Sequence, residues 1–445
     1  MIPDFISQNY HRNKSFYNKS FVAFILKVLS QILALAIFVI LARIMDVQEF
    51  GLYVLAMGWA RIILIADKGG MDMAVNRYLA KYQGYEDWKL FHSFFRFGSV
   101  TVLVLSSAFL VLGLIGIIFL PFSLSGQEFF AFLVALLIPP LWARMHYEQA
   151  SLRAIHETTL GQIPDALIRP GLIIIFISLA WATDIKITAL TALNLTLMAV
   201  IGALIIAFLM RIYKFRDFPS ARFSPDQGQR KEWLFCGLSL VLITASVILL
   251  RHTDIVMLGA LVPVGQVGIY GAAAKIADIA TFALGAVNMV LAPVISSCYS
   301  KGDHLQLKRV LRQAVAINTG FAVIVGGGLL IFSNTALSLF GSEFPQASHA
   351  LKILLIAQIF NAACGPAGFV LTMTGHHRFA SIVYAGVVGI NILANYILIP
   401  LYGIQGAAIA TAGSIVLWNF VFVYYSSRYL GYNPSLISLM RPGKE

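Results

Sequence analysis

Charged side chains are scarce in this chain, and acidic ones scarcest. Twenty Asp and Glu stand against 32 Lys and Arg, and together they make up only 12% of 445 residues. A soluble domain carries about 25% charged residues, so there is too little polar surface here to keep a chain of this length in water. Cysteine is nearly absent as well. Cys236, Cys298 and Cys364 are odd in number, and no pair has ligand spacing, which excludes a disulfide scaffold and a thiolate metal centre. His252 and the pair His376–His377 lack a Cys or carboxylate at ligand distance, no HExxH or nucleophile elbow occurs, and no catalytic constellation, metal site or cofactor motif is present. The net charge of +12 does not point to nucleic acid, because no RNP, zinc-finger or helix-turn-helix pattern accompanies it.

What is abundant is apolar sequence, at 59% of residues. A membrane span needs about 20 apolar residues, and twelve segments qualify. They fall at roughly 20–42, 50–76, 97–120, 128–148, 160–182, 187–210, 233–258, 265–297, 310–333, 347–373, 379–400 and 404–427. The first is too long for the apolar stretch of a signal peptide and reads as an uncleaved span. The segments at 50–76 and 265–297 are long and interrupted by polar residues, as expected of helices that line a cavity. Twenty-three of the 32 basic residues sit in every second gap, and the alternate gaps hold only Arg43 and Lys186. The positive-inside rule then places both termini in the cytoplasm, in the inner (plasma) membrane of a cell.

A polar linker near 211–232 separates six spans from six. A constant shift of 217 lays Phe50-Gly51-Leu52-Tyr53 on Val267-Gly268-Ile269-Tyr270, and Tyr82 on Tyr299. The expected fold is an all-α polytopic membrane protein. Its two six-helix lobes, 1–215 and 216–445, would be related by a pseudo-two-fold along the membrane normal, with a transport site where they meet.

Twelve charged residues stand out inside the apolar segments: Lys27, Arg61, Asp67, Lys68, Asp72, Asp165, Arg169, Arg251, Asp254, Lys275, Asp278 and Lys352. Each costs roughly 2.5–3.5 kcal/mol at the bilayer centre, so they must face one another or water. Lys27, Arg61, Lys68, Arg251 and Lys275 fall on the first two spans of each half and form a candidate cationic cavity for an anionic headgroup, since Arg and Lys bind phosphate through charge-assisted hydrogen bonds. Asp67, Asp72, Asp254 and Asp278 are the cavity acids, and structural ion pairing with these bases is the alternative reading. Arg61 falls opposite Asp278 under the repeat, while Lys275 and Asp278 are also local neighbours. Asp165 and Arg169, between Pro164 and Pro170, read as a local i,i+4 pair on a kinked helix, and Lys352 as a residue that snorkels to the interface. Pro139–Pro140, Pro293 and Gly365–Pro366 interrupt three spans and are hinge candidates. Gly326-Gly327-Gly328 lies inside an apolar span and is expected to serve close helix packing.

Three stretches resemble a known family. They are Ala-Arg-Ile-Met-Asp-Val-Gln-Glu-Phe-Gly-Leu-Tyr (42–53), Arg-His-Thr-Asp-Ile-Val-Met-Leu-Gly (251–259) with Val-Gly-Ile-Tyr-Gly-Ala-Ala-Ala-Lys (267–275), and Leu-Ile-Pro-Leu-Tyr-Gly-Ile-Gln-Gly-Ala-Ala-Ile-Ala-Thr (398–411). They are similar to Wzx-type oligosaccharide flippases of the superfamily that also holds multidrug exporters and the peptidoglycan-precursor flippase. The resemblance implies a non-enzymatic, twelve-helix, two-lobe transporter. Its cargo would be undecaprenyl-pyrophosphate-linked oligosaccharide repeat units, moved from the cytoplasmic to the periplasmic leaflet by alternating access. Membrane lipid, a polysaccharide polymerase and a chain-length regulator are the partners it suggests. Arg251 and Asp254 carry over by motif. The first span has Lys27 but no interior carboxylate, a departure from the pattern of cation-coupled multidrug exporters, which remain the alternative.

Overall fold

The computed structural model describes residues 2–119, 126–219 and 225–440, with side chains from Val22 onward apart from a few interior positions. Among the described residues every regular element is a helix. This is the outcome physics requires of lipid-exposed backbone, whose N–H and C=O groups must be paired within each segment.

The first half begins with α1 (Ile2–Ile44), α2 (Val47–Lys68) and α3 (Met71–Gly84). The second expected span is therefore broken, at Gly69 and Gly70, whose φ values of 50° and 73° suit glycine. Then follow α4 (Trp88–Phe119), α5 (Gly126–Ala154), a π-helical turn at Pro164–Ile168, α6 (Arg169–Ala182) and α7 (Ala189–Phe215). Helix α5 stays helical through Pro139 and Pro140.

The second half opens with α8 (Gln227–Leu261), α9 (Val264–Ala280) and α10 (Phe282–Ser300). The eighth expected span is thus two helices that meet at Thr281. Helix α10 runs unbroken past position 293, so the interruption falls twelve residues earlier than the proline suggests; the Pro293 side chain lies outside the described set. Helices α11 (His304–Ile331), α12 (Ser333–Ser338), α13 (Ser348–Ala363) and α14 (Ala367–Met373) come next, then α15 (His377–Tyr402), α16 (Ile404–Tyr429) and the short α17 (Ile437–Met440). The segment through α13 and α14 bends by 45° at Gly365, where φ is +67°.

Ten of these helices are long and apolar enough to cross a membrane, and the bent pair is an eleventh. With α9 and α10 taken together, each of the twelve expected segments is helical.

Two compact units share the chain. One comprises the chain up to Leu41 together with Ala60–Val241, and the other comprises Ala42–Trp59 together with Leu242 onward. They differ from a simple division of the sequence into halves by two exchanged pieces, the start of α2 and the start of α8.

Within the first unit α5 packs on α3, α4 and α7. Tyr147 on α5 is fully buried, donates to the Phe95 carbonyl at 2.9 Å and lies against Gly98. Beside it Glu148, also fully buried, takes Arg144 at 2.5 Å and Arg211 at 2.8 Å. In the second unit α13 packs on α9, α11 and α16. A methyl group added at Gly326 would sit 3.0 Å from Ile359, so the first glycine of the triplet does serve close packing, whereas nothing approaches Gly327 or Gly328.

Candidate functional site

Each unit holds its own group of intramembrane charges. In the first unit the break after α2 sets the geometry. Lys68 at the end of α2 reaches across it to Asp72 on α3 at 2.9 Å. His146 and Arg153, both on α5, lie within electrostatic reach of Asp72. Arg153 also donates to the Gly161 carbonyl at 3.1 Å.

The π-helical turn carries Asp165 into the same group. Its carboxylate takes Arg169 Nε at 2.7 Å and the Trp142 indole N–H at 3.2 Å, with His146 Nε2 at 3.8 Å. The Arg169 guanidinium lies over the Trp142 ring, 4.8 Å from its centroid. Single π turns inside helices recur at functional sites because the extra residue re-aims a side chain. The pair expected to be merely local is therefore part of a larger cluster that joins α2, α3, α5 and α6. Three bases, Lys68, Arg153 and Arg169, meet two acids, Asp72 and Asp165, and His146. The cluster carries one positive charge in excess when the imidazole is neutral.

Asp67 stands apart from this pairing. It is fully buried, and neither carboxylate oxygen has a hydrogen-bond partner among the described residues. Lys27 on α1 is half-buried and Arg61 on α2 is exposed in this unit.

In the second unit Arg251 on α8 faces Asp278 on α9 at 3.9 Å, with side-chain exposures of 61% and 47%. At that distance and exposure the pair is worth little as a structural contact, and both groups stay available to a ligand. Lys275, one turn before Asp278 on the same helix, is half-buried.

Asp254 behaves differently from the ion-paired acid expected of it. It is buried and held by uncharged donors: the Tyr270 hydroxyl at 2.5 Å, the Ile255 amide at 2.8 Å and the Thr411 hydroxyl at 3.4 Å. A second polar chain joins α15 to α16. Asn395 donates to Asn391 at 3.0 Å, and Asn391 donates to Ser414 at 3.0 Å, one turn from Thr411. No group of three His, Cys, Asp or Glu suited to a metal ion occurs among the described residues.

Trp142, His146 and Arg153 were missed from sequence, although Trp142 and His146 are four residues apart and so share a helix face. Tyr270 and Thr411 were missed too, because hydroxyl residues in spans are too common to single out.

The helical fold that holds these charges has counterparts among solved structures. The chain superposes on an inward-facing multidrug resistance MATE family transporter of the MOP superfamily with a TM-score of 0.74 at 14% identity, over 93% of this chain and 98% of the other. It superposes on the lipid II flippase MurJ in an inward closed conformation with a TM-score of 0.70 at 14% identity, over 91% and 87%. The sequence profile of the polysaccharide biosynthesis protein family matches residues 16–299, and the chain belongs to that family. A MatE profile matches residues 240–397. One relative, described as a probable low-salt glycan biosynthesis flippase, Agl15, of Haloferax volcanii, is 29% identical over 181 residues. That alignment covers 40% of this chain and 38% of the relative, so the chain spans well under half of that flippase's length.

Proposed function

We propose that the protein is a flippase for lipid-linked oligosaccharides, with undecaprenyl-pyrophosphate-linked repeat units as the cargo and the pyrophosphate as the group it grips. The observation that carries this reading is the charge balance of the intramembrane clusters. Seven bases stand against five acids among the twelve charges singled out inside the apolar segments, and Arg251 is only loosely engaged by Asp278 at 3.9 Å. A cavity built to take lipophilic cations would carry the opposite excess. Family membership and the glycan flippase relative support the same cargo.

In this reading Lys27, Arg61, Lys68, Arg251 and Lys275 line the path, and Arg169 joins them. The bases take phosphate oxygens through charge-assisted bonds, Arg bidentately. The acids hold the bases in place while the path is empty. The isoprenoid tail stays in lipid, so only the headgroup needs a polar route. The lobes 1–215 and 216–445 would alternate access, with both termini cytoplasmic and the polymerase and chain-length regulator as neighbours on the product side.

The MatE match and the MATE-like fold favour one rival, a cation-coupled exporter of small lipophilic molecules. Complementation separates the two. The protein should restore surface glycan to a strain lacking its own oligosaccharide flippase, and should confer no resistance on a strain lacking multidrug exporters. Resistance without glycan restoration would reverse the assignment.

A further inference from the structure

The tenth expected span consists of two pieces, α13 and α14, set at 45° to each other across Gly365 and Pro366. Such a break leaves carbonyl groups at the end of the first piece without their helical donors. Pro366 has no N–H to give. The Ala367 amide, which a continuous helix would point at the Ala363 carbonyl, goes to the Gly365 carbonyl at 2.9 Å instead. The Ala363 carbonyl is nonetheless paired. It accepts from the Leu436 amide at 2.8 Å, a donor from the segment that follows α16.

That segment, residues 430–438, forms a strap seated on the break. Pro434 and Ser435 are buried, and a methyl group added at Gly365 would sit 2.2 Å from the Pro434 carbonyl oxygen. Asn433 folds the strap here, its Oδ1 accepting from the Ser435 amide at 3.0 Å and from the Ser435 hydroxyl at 2.7 Å. Tyr432, just before it, is buried in an apolar cluster with Cys298 of α10, Leu307 and Leu311 of α11, and Val370 of α14. Its hydroxyl meets His304 Nδ1 at the start of α11. The strap thus ties α10 and α11 to both sides of the break, and all of these contacts lie within the second unit.

Two features make this seat releasable. The donors available to the Ala363 carbonyl belong to two backbone conformations. Leu436 reaches it while Gly365 holds φ at +67°, and Ala367 would reach it if Gly365 turned helical, a change that glycine makes at little cost. Helix α14 is also only seven residues long and ends at a second glycine joint, Gly375, with φ of +88°. It is a short rigid piece between two joints, which is the construction of a hinged element.

We infer that the strap is a conformational latch. Seated, it holds the tenth span bent at Gly365. Released, it lets α13 and α14 join into a straighter helix, and the transporter passes through both forms in its cycle. The latch concerns α10, α11, α13, α14 and the strap, and it is independent of the cargo proposed above.

The test uses the full-length protein in membranes. With Cys236→Ser and Cys364→Ser, buried Cys298 beside Tyr432 is the reporter thiol. Leu436→Pro removes the amide that pairs Ala363, and Gly365→Ala puts a methyl group on the Pro434 seat. Each, at normal membrane abundance, should raise the rate of Cys298 modification at least tenfold. With all three native cysteines replaced, spin labels on Ile356→Cys and Phe369→Cys, exposed positions of α13 and α14, should report a different distance once Gly365→Ala is added. In a further variant, Ala363→Cys and Leu436→Cys are bridged by a short cleavable bifunctional thiol reagent, which keeps the strap seated. The bridge should cut glycan transport at least tenfold, and cleavage should restore it. Unchanged Cys298 modification in both strap variants, an unchanged label distance, or full transport by the bridged protein overturns the latch. Should a strap variant fail to reach the membrane, the bridged pair decides. If Cys298 modification and the label distance change as expected while the unbridged protein moves no glycan, the latch stands and the cargo assignment fails.

Discussion

Trp142 donates its indole N–H to the Asp165 carboxylate at 3.2 Å, so a residue of α5 fixes the acid that the π-helical turn presents. The same carboxylate holds Arg169 at 2.7 Å, and the Arg169 guanidinium lies over the Trp142 ring. Three side chains thereby position one another.

Asp165→Asn should unsettle this arrangement without emptying it. The amide keeps one acceptor for Trp142 but removes the charge that balances Arg169. The loss of a charge-assisted hydrogen bond predicts a stability decrease of about 1.5–3 kcal/mol, read by thermal unfolding in detergent. Trp142→Phe should cost less in stability, because it removes only the indole donor and keeps most of the ring beneath the guanidinium.

The Arg144–Glu148–Arg211 triad should be more sensitive. Glu148 is fully buried between two guanidiniums, and Arg211 also lies on the rings of Phe95, Phe208 and Phe215. Glu148→Ala leaves both guanidiniums without their shared counter-charge and should destabilise by roughly 3–5 kcal/mol. Arg211→Lys should recover part of the charge but not the stacking, giving an intermediate melting temperature.

Asp67 predicts the opposite sign. A fully buried carboxyl with no hydrogen-bond partner among the described residues is a cost to the fold, so Asp67→Leu should hold stability or raise it by about 1–3 kcal/mol, read as an equal or higher melting temperature. A lower melting temperature would show that the carboxyl is engaged.

Around Asp254 the distances rank the donors. Tyr270→Phe removes the 2.5 Å hydroxyl and Thr411→Val the 3.4 Å one. Tyr270→Phe should therefore be the more destabilising, by about 1 kcal/mol or more, and the double variant should show non-additivity because both donors share one oxygen.

The membrane class and the twelve helical segments were legible in the sequence because apolar length is a local property. The breaks were harder to read. The span through Gly365 bends by 45°, and the long second segment parts at Gly69–Gly70, a pair that the sequence reading did not single out. The eighth parts at Thr281, a residue with no breaking signature, rather than at Pro293. The site was less legible because its members meet through packing. The i,i+4 pairs Lys68–Asp72 and Asp165–Arg169 follow from helix geometry alone, but their union needs the crossing of α3 and α5, which brings His146 and Arg153 to Asp72. The exchange of helix ends between units was hidden for the same reason. The shift of 217 aligned Gly51 with Gly268, yet no sequence signal said that the two would touch.

The central claim is that bases at bilayer depth hold a phosphorylated lipid carrier. The most direct measurement is complementation of a flippase-null strain by Arg61→Ala, Arg251→Ala, Lys275→Ala and Arg169→Ala, each at normal membrane abundance. The account predicts at least a tenfold loss of surface glycan for Arg251→Ala and Arg169→Ala, with partial rescue by lysine at either position. Full activity of all four alanine variants would contradict it.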